Sequence, residues 1–353
     1  MNQRHYLIVG AGLSGICVAQ QLISKNQRVS IVDSNENKSS IVAAGLINPL
    51  VFRRMAKSWR VDQLLPYAQD FYRKLEQKTA KEFYHEIIIR RFFSSEQERG
   101  FWEKKQTEDE YLDYMYPLTK EDIGYTDFHL KNDYGSARVK QSAWVNASAF
   151  LSEMHADLKS TCVFISEKFD YSLLDTEKTV YKGITYDGII FCEGYAAQFN
   201  PWFGDLPIQS TKGEVLTIQS TDLPMEESIN RKCFVLPIST SIYKVGSTYK
   251  WDTPDTIPTE AGKQELLDHF HFLSDTEPKI LEHGAGIRPT TLDRRPIIGR
   301  NELFPKLSIF NGMGAKGYLI APLLSKEFVD YLVDGQPLLK EIDIQRIKKN
   351  SSN

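Results

Sequence analysis

A chain of 353 residues, 41% hydrophobic and 25% charged, has the balance of a globular protein and room for two domains or one domain with a large insertion. Its formal charge of −3 supplies no global attraction for nucleic acid or anionic lipid, although a local basic patch is compatible with it. Cys17, Cys162, Cys192 and Cys233 lie far apart without C-x-x-C or zinc spacing, which argues for free thiols in a reducing cytosol and against a metal centre. No apolar run approaches the ~18 residues of a membrane span, and no signal-peptide pattern precedes Tyr6, so a cytoplasmic location is expected.

Residues 6–9 (YLIV) predict a short buried strand, and glycines follow at once. The apolar spacing of 14–25 (SGICVAQQLISK) predicts a helix, and 28–33 (RVSIVD) a second strand ending on an acid. Gly10, Gly12 and Gly15 match G-x-G-x-x-G inside this strand–turn–helix–strand unit. The first Gly permits the tight turn, the second lets backbone approach a pyrophosphate, and the third lets the helix pack on its strand. The helix N-terminus then offers N–H donors to an anion, with Ala11, Leu13 and Ser14 around it. Asp33 stands where an acid grips a ribose hydroxyl, and Ser34 follows it. The alternatives are a structural turn that needs small residues and a solvated strand-end acid. The motif does not separate NAD from FAD. The small residues Ala43, Ala44 and Gly45, with Leu46, in "SSIVAAGLINPL" (39–50) suit close approach to a bulky buried cofactor.

Further along, 62–105 predicts helix, and 106–143 is polar and aromatic with no obvious core unit. A helix is expected over 144–158, strands over 161–165 and 167–171, and a buried strand running into a Gly turn over 185–197. Strand-like runs fill 212–251, a helix spans 259–273, and 283–300 reads as turn-rich. A strand at 307–312 and an amphipathic helix at 317–334 precede a tail, 348–353, expected to fray. The fold class is α/β: a Rossmann-like cofactor-binding domain with a parallel sheet, interrupted by an α+β substrate domain with a largely antiparallel sheet. The first is expected to comprise 1–80, 144–210 and 280–353, and the second 81–143 and 211–279.

The blocks "AAGLINPL", "IIFCEGYAA", "KGEVLTI", "FVLPISTSIYKVGSTY", "GIRPTTLDRRPIIG" and "NGMGAKGYLIAPLLSKE" occur in that order and, with the opening motif, span residues 6 to about 335. The sequence resembles the D-amino-acid-oxidase superfamily of FAD-dependent oxidoreductases, the group that includes glycine and sarcosine oxidases. Within it, the resemblance is strongest to the oxidase half of the bifunctional bacterial tRNA wobble-uridine modification enzyme. It implies FAD, bound through the glycine turn and through Phe169, Cys192, Gly194, Gly314, Ala315, Gly317 and Tyr318. With no Cys after Cys233 and no His in 289–316, non-covalent attachment is expected.

The implied reaction is oxidation of a C–N bond by hydride transfer to flavin N5, followed by hydrolysis of the imine. The implied partner is a small amine, an N-substituted glycine or a D-amino acid. A carboxymethylaminomethyl base of tRNA and a non-catalytic FAD-binding role are the alternatives, and the oligomeric state is open. Arg288 falls where glycine and D-amino acid oxidases place their carboxylate-binding arginine, the alternative being a loop prop. Lys316 is implied near the flavin pyrimidine, or else is an exposed turn lysine. Lys244 matches the lysine through which sarcosine oxidases promote reaction with oxygen, or is a solvated strand lysine. Tyr249 and Phe234 come from strands that in the family wall the substrate pocket; Tyr249 is implied as a hydrogen-bond partner of the substrate or else as plain core, and Phe234 as packing. Arg53, Arg54, Lys57 and Arg60 form a basic cluster, either a solvated face or a recruiter of an acidic substrate.

Overall fold

The strand His5–Val9 is buried from Tyr6 onward and pairs in parallel with Arg28–Val32 on one side and Gly188–Phe191 on the other. This computed structural model describes residues 3–36, 39–251 and 255–348. The six-stranded sheet runs Val163–Ile165, Arg28–Val32, His5–Val9, Gly188–Phe191, Leu307–Asn311, with Ile297–Arg300 antiparallel at the edge. Its central strands are continuous apolar runs because both faces are covered. The helices Leu13–Ser24 and Gly317–Asp334 pack against each other on one face. From His5–Val9 the chain passes first to Arg28–Val32 on one flank and later to Gly188–Phe191 on the other. Strand order therefore reverses at the first strand, and the crevice beyond the carboxyl ends of these two strands is where such sheets bind ligands.

The second sheet has eight strands and is largely antiparallel. Its longest pair, Ile208–Gln219 with Lys279–Thr291, stands at one side, and Ile242–Gly246, Phe234–Ser239 and Glu227–Asn230 follow in turn. Ile88–Phe92 and Ser136–Val139 extend it from an earlier part of the chain. The helix Glu260–His271 covers it, with the Thr259 hydroxyl accepting from the Gly262 N–H at its start.

The structure corrects five local expectations. Only Val61–Thr79 and Glu96–Lys105 of the segment 62–105 are helical; Tyr84–Glu86 and Ile88–Phe92 are strands. Ala80 adopts a left-handed conformation that ends the first helix, and the Ile and aromatic residues beyond it favour a pleated, half-buried surface. The 106–143 segment is a core unit, since Tyr111, Tyr114 and Met115 are buried and Ser136–Val139 joins the large sheet. No strand forms at 167–171; Phe169 stacks on Tyr181 with ring centres 4.3 Å apart. The expected helix at 144–158 starts at Ala147, capped by Asn146, behind the strand Ala143–Val145.

The turn-rich reading of 283–300 is replaced by the strands Lys279–Thr291 and Ile297–Arg300. Gly284 and Gly286 serve close approach there: a Cβ on Gly286 would lie 3.0 Å from the Ser39 backbone. Lys348, the first residue of the expected tail, closes a short helix Gln345–Lys348, and 349–353 lie outside the described residues.

Candidate active site

The glycine turn occupies the crevice at the strand-order reversal. Gly10 has φ +97°, and a Cβ there would stand 2.6 Å from the Cys192 carbonyl oxygen. A Cβ on Gly15 would stand 1.9 Å from the Gly10 oxygen, so the helix sits directly on the turn. Both positions admit only glycine without backbone movement. The Ala11 N–H donates to Asp33 Oδ1 and the Asn35 N–H to Oδ2, each at 2.9 Å, so the acid braces the turn. His155 adds a 2.7 Å bond to the Ala11 carbonyl. At the helix start, the Leu13 N–H donates to Ser40 Oγ at 3.1 Å.

A cavity of about 650 Å³ opens on this turn and is lined from both sheets. Asp33, Ser34, Glu36, Glu167, Lys168 and Phe169 line it from the first sheet and its loops, and Gly213, Val215, Phe234, Ser247 and Arg288 from the second. The remaining walls are Gly10, Gly12, Leu13, Ser14, the run Ala43–Leu46, Cys192, Gly194, and the stretch from Gly314 through Ala315, Lys316 and Gly317 to Tyr318. The structure thus brings nearly all of the expected cofactor residues to one cavity. Ala11 and Gly15 stand behind the lining, where they shape the turn.

Gly45 has φ +72°, and its Cβ position is 1.9 Å from the Val145 oxygen, so the small-residue run lies flat on a neighbouring strand. Tyr318 is buried; its hydroxyl donates to the Ser40 carbonyl and its own carbonyl accepts from Tyr72. Ser39 clasps the strand that carries Arg288. Its hydroxyl donates to the Ile287 carbonyl at 2.7 Å and accepts from the Ile287 N–H at 3.0 Å.

Arg288 lies across Gly213, with its guanidinium on the cavity wall. It donates to Ser247 Oγ at 2.7 Å and to the Thr248 carbonyl at 3.3 Å, and stands 5.4 Å from the Tyr249 ring centre. Among the described residues it forms no ion pair with a carboxylate, and burial pushes its pKa down, with Tyr249 opposing. A partly buried cation without a counter-charge favours an anion from solution. Tyr249 itself is outside the lining, 42% exposed, and packs edge-on against Trp251.

Lys316 is not an exposed turn lysine. Its Nζ donates to the Asn48 carbonyl at 2.8 Å and the Leu50 carbonyl at 3.1 Å, and touches the Ser58 hydroxyl. Burial pushes its pKa down to about 7. Lys244 reaches the Ala43 carbonyl at 3.4 Å, and burial lowers its pKa too, with Glu282 opposing. Phe234 lines the cavity and lies over Gly246. In the basic cluster, Arg60 pairs with Glu327 and Lys57 with Asp62, while Arg54 is exposed. The Arg53 side chain lies outside the described residues.

Sequence reasoning missed Ser39, Ser40, Asn48 and Glu193, all on the cavity wall. The paired serines immediately before the small-residue run were a legible signal. Glu193 was not, because its carboxylate is taken up by the Tyr171 hydroxyl at 2.5 Å and the Asn200 amide at 2.8 Å. Burial raises its pKa. No helix among the described residues is long and apolar enough to cross a membrane.

A parallel sheet with a glycine turn at its reversal point, an acid closing the second strand and a cavity lined from this sheet and from a second, antiparallel one define a dinucleotide-dependent enzyme of two sheets. The family model described as "FAD dependent oxidoreductase", DAO, matches residues 5–331, and the chain belongs to that family. Its cofactor is therefore FAD and its class FAD-dependent oxidoreductase. The chain is 24% identical over 319 residues to the tRNA 5-methylaminomethyl-2-thiouridine biosynthesis bifunctional protein MnmC of Legionella pneumophila (strain Corby), covering 84% of this chain and 46% of that protein. It thus spans about half the length of the bifunctional relatives it matches. It is 22% identical to glycine oxidase of Bacillus subtilis (strain 168) over 94% of each. The crystal structure of glycine oxidase from Geobacillus kaustophilus shares the fold, with TM-score 0.81 at 18% identity over 95% of this chain and 96% of that one.

The residues present fit FAD. The forbidden Cβ positions at Gly10 and Gly15 leave a bare backbone cradle at a helix N-terminus, and the cavity opens on it.

Proposed function

We propose that the chain oxidises the C–N bond of a small amine that carries a carboxylate, an N-substituted glycine or a D-amino acid. The observation that carries this reading is Arg288, a partly buried guanidinium on the cavity wall whose protein partners are a hydroxyl and a carbonyl. Its planar fork suits a carboxylate, which would fix the substrate's orientation. Val215 and Phe234 exclude water beside it, and a dry site favours the neutral amine that gives up a hydride. Bound FAD supplies the acceptor for that hydride, and water hydrolyses the resulting imine.

In this reading Gly10, Gly12 and the N–H of Ser14 would hold the pyrophosphate without covalent attachment, and Asp33 the ribose. The walls from Ala43 to Leu46 and from Gly314 to Tyr318 would hold the isoalloxazine. Tyr249 shields the anchor, and Lys244 and Lys316 brace the flavin-side segments.

A second reading has one observation in its favour. Tyr249 and Trp251 form a half-exposed edge-to-face pair, 5.3 Å between centres, beside Arg288. Such a pair would stack a base, and a carboxymethylaminomethyl group on a tRNA base is itself an N-substituted glycine.

Anaerobic titration of the FAD-loaded protein with glycine, N-methylglycine, D-amino acids and the modified nucleoside tests both. Bleaching of the visible flavin band by the amino acids supports the first reading, and bleaching by the nucleoside alone the second. A band untouched by every amine would sink both.

A further inference from the structure

We infer that Asn48 is a specificity residue, whose side-chain amide N–H recognises a second carboxylate of the substrate, on the other side of the amine from the one held by Arg288. This rests on Arg288 as the anchor of the first carboxylate.

Asn48 lies between the short strands Leu46–Ile47 and Leu50–Val51 and lines the cavity. Its Oδ1 accepts from the Leu50 N–H at 2.9 Å. A backbone amide can only donate, so this bond fixes which way the side-chain amide faces. Its main-chain carbonyl is taken by Lys316 Nζ at 2.8 Å and Ser58 Oγ at 3.3 Å. Pro49 follows and restricts the Asn48 backbone to extended conformations. The residue is thus held from three sides, and Nδ2 is its one side-chain polar group without an acceptor among the described residues.

The charge pattern of the cavity says what that donor wants. The lining acids, Asp33, Glu36, Glu167 and Glu193, belong to strand ends and loops around the glycine turn. Arg288 and the Ser247 hydroxyl line the cavity from the second sheet, and Asn48 is tied by Lys316 to the turn Gly314–Lys316, which packs on the strand that carries Arg288. A monocarboxylate satisfies Arg288 alone. A ligand with an anionic group at each end satisfies both donors, and a site with a fixed unpaired donor penalises ligands that leave it unpaired.

The test uses the FAD-loaded protein and two sulfur analogues without an oxidisable amine: thiodiacetate, with two carboxylates, and methylthioacetate, with one. Dissociation constants are read from the perturbation of the visible flavin spectrum. The wild type should bind thiodiacetate at least about tenfold more tightly, as expected for a hydrogen bond to a charged group. Asn48→Leu should remove that preference while changing methylthioacetate binding by less than about twofold. Asn48→Asp keeps the acceptor for Leu50 and replaces the donor with an anion, so it should weaken thiodiacetate further; it serves where the Leu variant does not fold.

Methylthioacetate binding without a dicarboxylate preference in the wild type overturns this inference and leaves the Arg288 reading standing. A preference that survives both substitutions overturns it as well. An altered flavin spectrum in the ligand-free variants, with the preference intact, assigns the donor to the cofactor instead. If neither ligand perturbs the wild-type flavin, the Arg288 anchor fails too.

Discussion

Arg288 and Lys316 are both partly buried basic side chains on one cavity, yet their surroundings give them different work. Arg288 has a face left for an anion, whereas Lys316 is consumed by two carbonyls and a hydroxyl. Replacing Arg288 with Lys loses the planar fork, and the Michaelis constant for carboxylate substrates should rise about 10–100-fold, from the loss of charge-assisted hydrogen bonds. Bound flavin should stay constant in the same preparation; an unchanged Michaelis constant removes Arg288 from the anchor role. For Lys316 the pH dependence of folding is the sharper measurement. Its pKa is about 7 in the folded chain against an ordinary 10.5, so between those values the unfolded chain binds a proton that the folded chain does not. Stability should therefore rise with pH across that interval and level off above it. Denaturant midpoints of Lys316→Met should lack this rise, and an identical slope in both proteins would show that Lys316 stays charged when folded.

The glycine turn was legible at the level of elements because a strand, three spaced glycines, a helix and a terminal acid agree with one another. Residues 283–300 were not, because glycine and proline in a strand carry the same letters as a turn. What distinguishes them is the helix Ser39–Val42 lying against Gly284 and Gly286, a contact nearly 250 residues away in sequence. Ile88–Phe92 was hidden for a related reason: its partner Glu227–Asn230 comes much later, so only its β-branched composition hinted at pairing. The same closeness gives a prediction for the elements. Gly286→Val must push the Ser39–Val42 helix away from the strand, since even a Cβ meets the Ser39 backbone at 3.0 Å. The flavin-to-protein absorbance ratio should fall while far-ultraviolet circular dichroism stays near wild type; full flavin content would show that the helix moves without consequence.

Across the whole molecule, the sequence blocks carried the fold class and the cofactor, because they are the segments that line one cavity. They did not carry the roles of Asn48, which stands inside one block, or of Ser40, because those roles come from which of their atoms the fold leaves unpaired or aims at the helix N-terminus. Non-covalent FAD predicts that acid precipitation leaves the yellow colour in the supernatant; colour in the pellet means a covalent link. FAD removal should also lower the thermal midpoint by several degrees, and re-addition should restore it, because a ligand bound only by the folded state stabilises that state.

The two hydrogen bonds between Ser39 and Ile287 have a thermodynamic consequence. Ser39 neighbours Ser40 at the nucleotide turn, and Ile287 neighbours Arg288, so whatever orders one junction partner orders the other. A coupling of this kind is reciprocal for binding. A saturating carboxylate ligand should slow the escape of FAD in a dilution experiment, and by the same factor FAD should tighten the carboxylate. Ser39→Ala should uncouple the two affinities while leaving each measurable. Cofactor retention would then report on substrate occupancy, making the flavin itself a gauge of whether the Arg288 side of the cavity is filled.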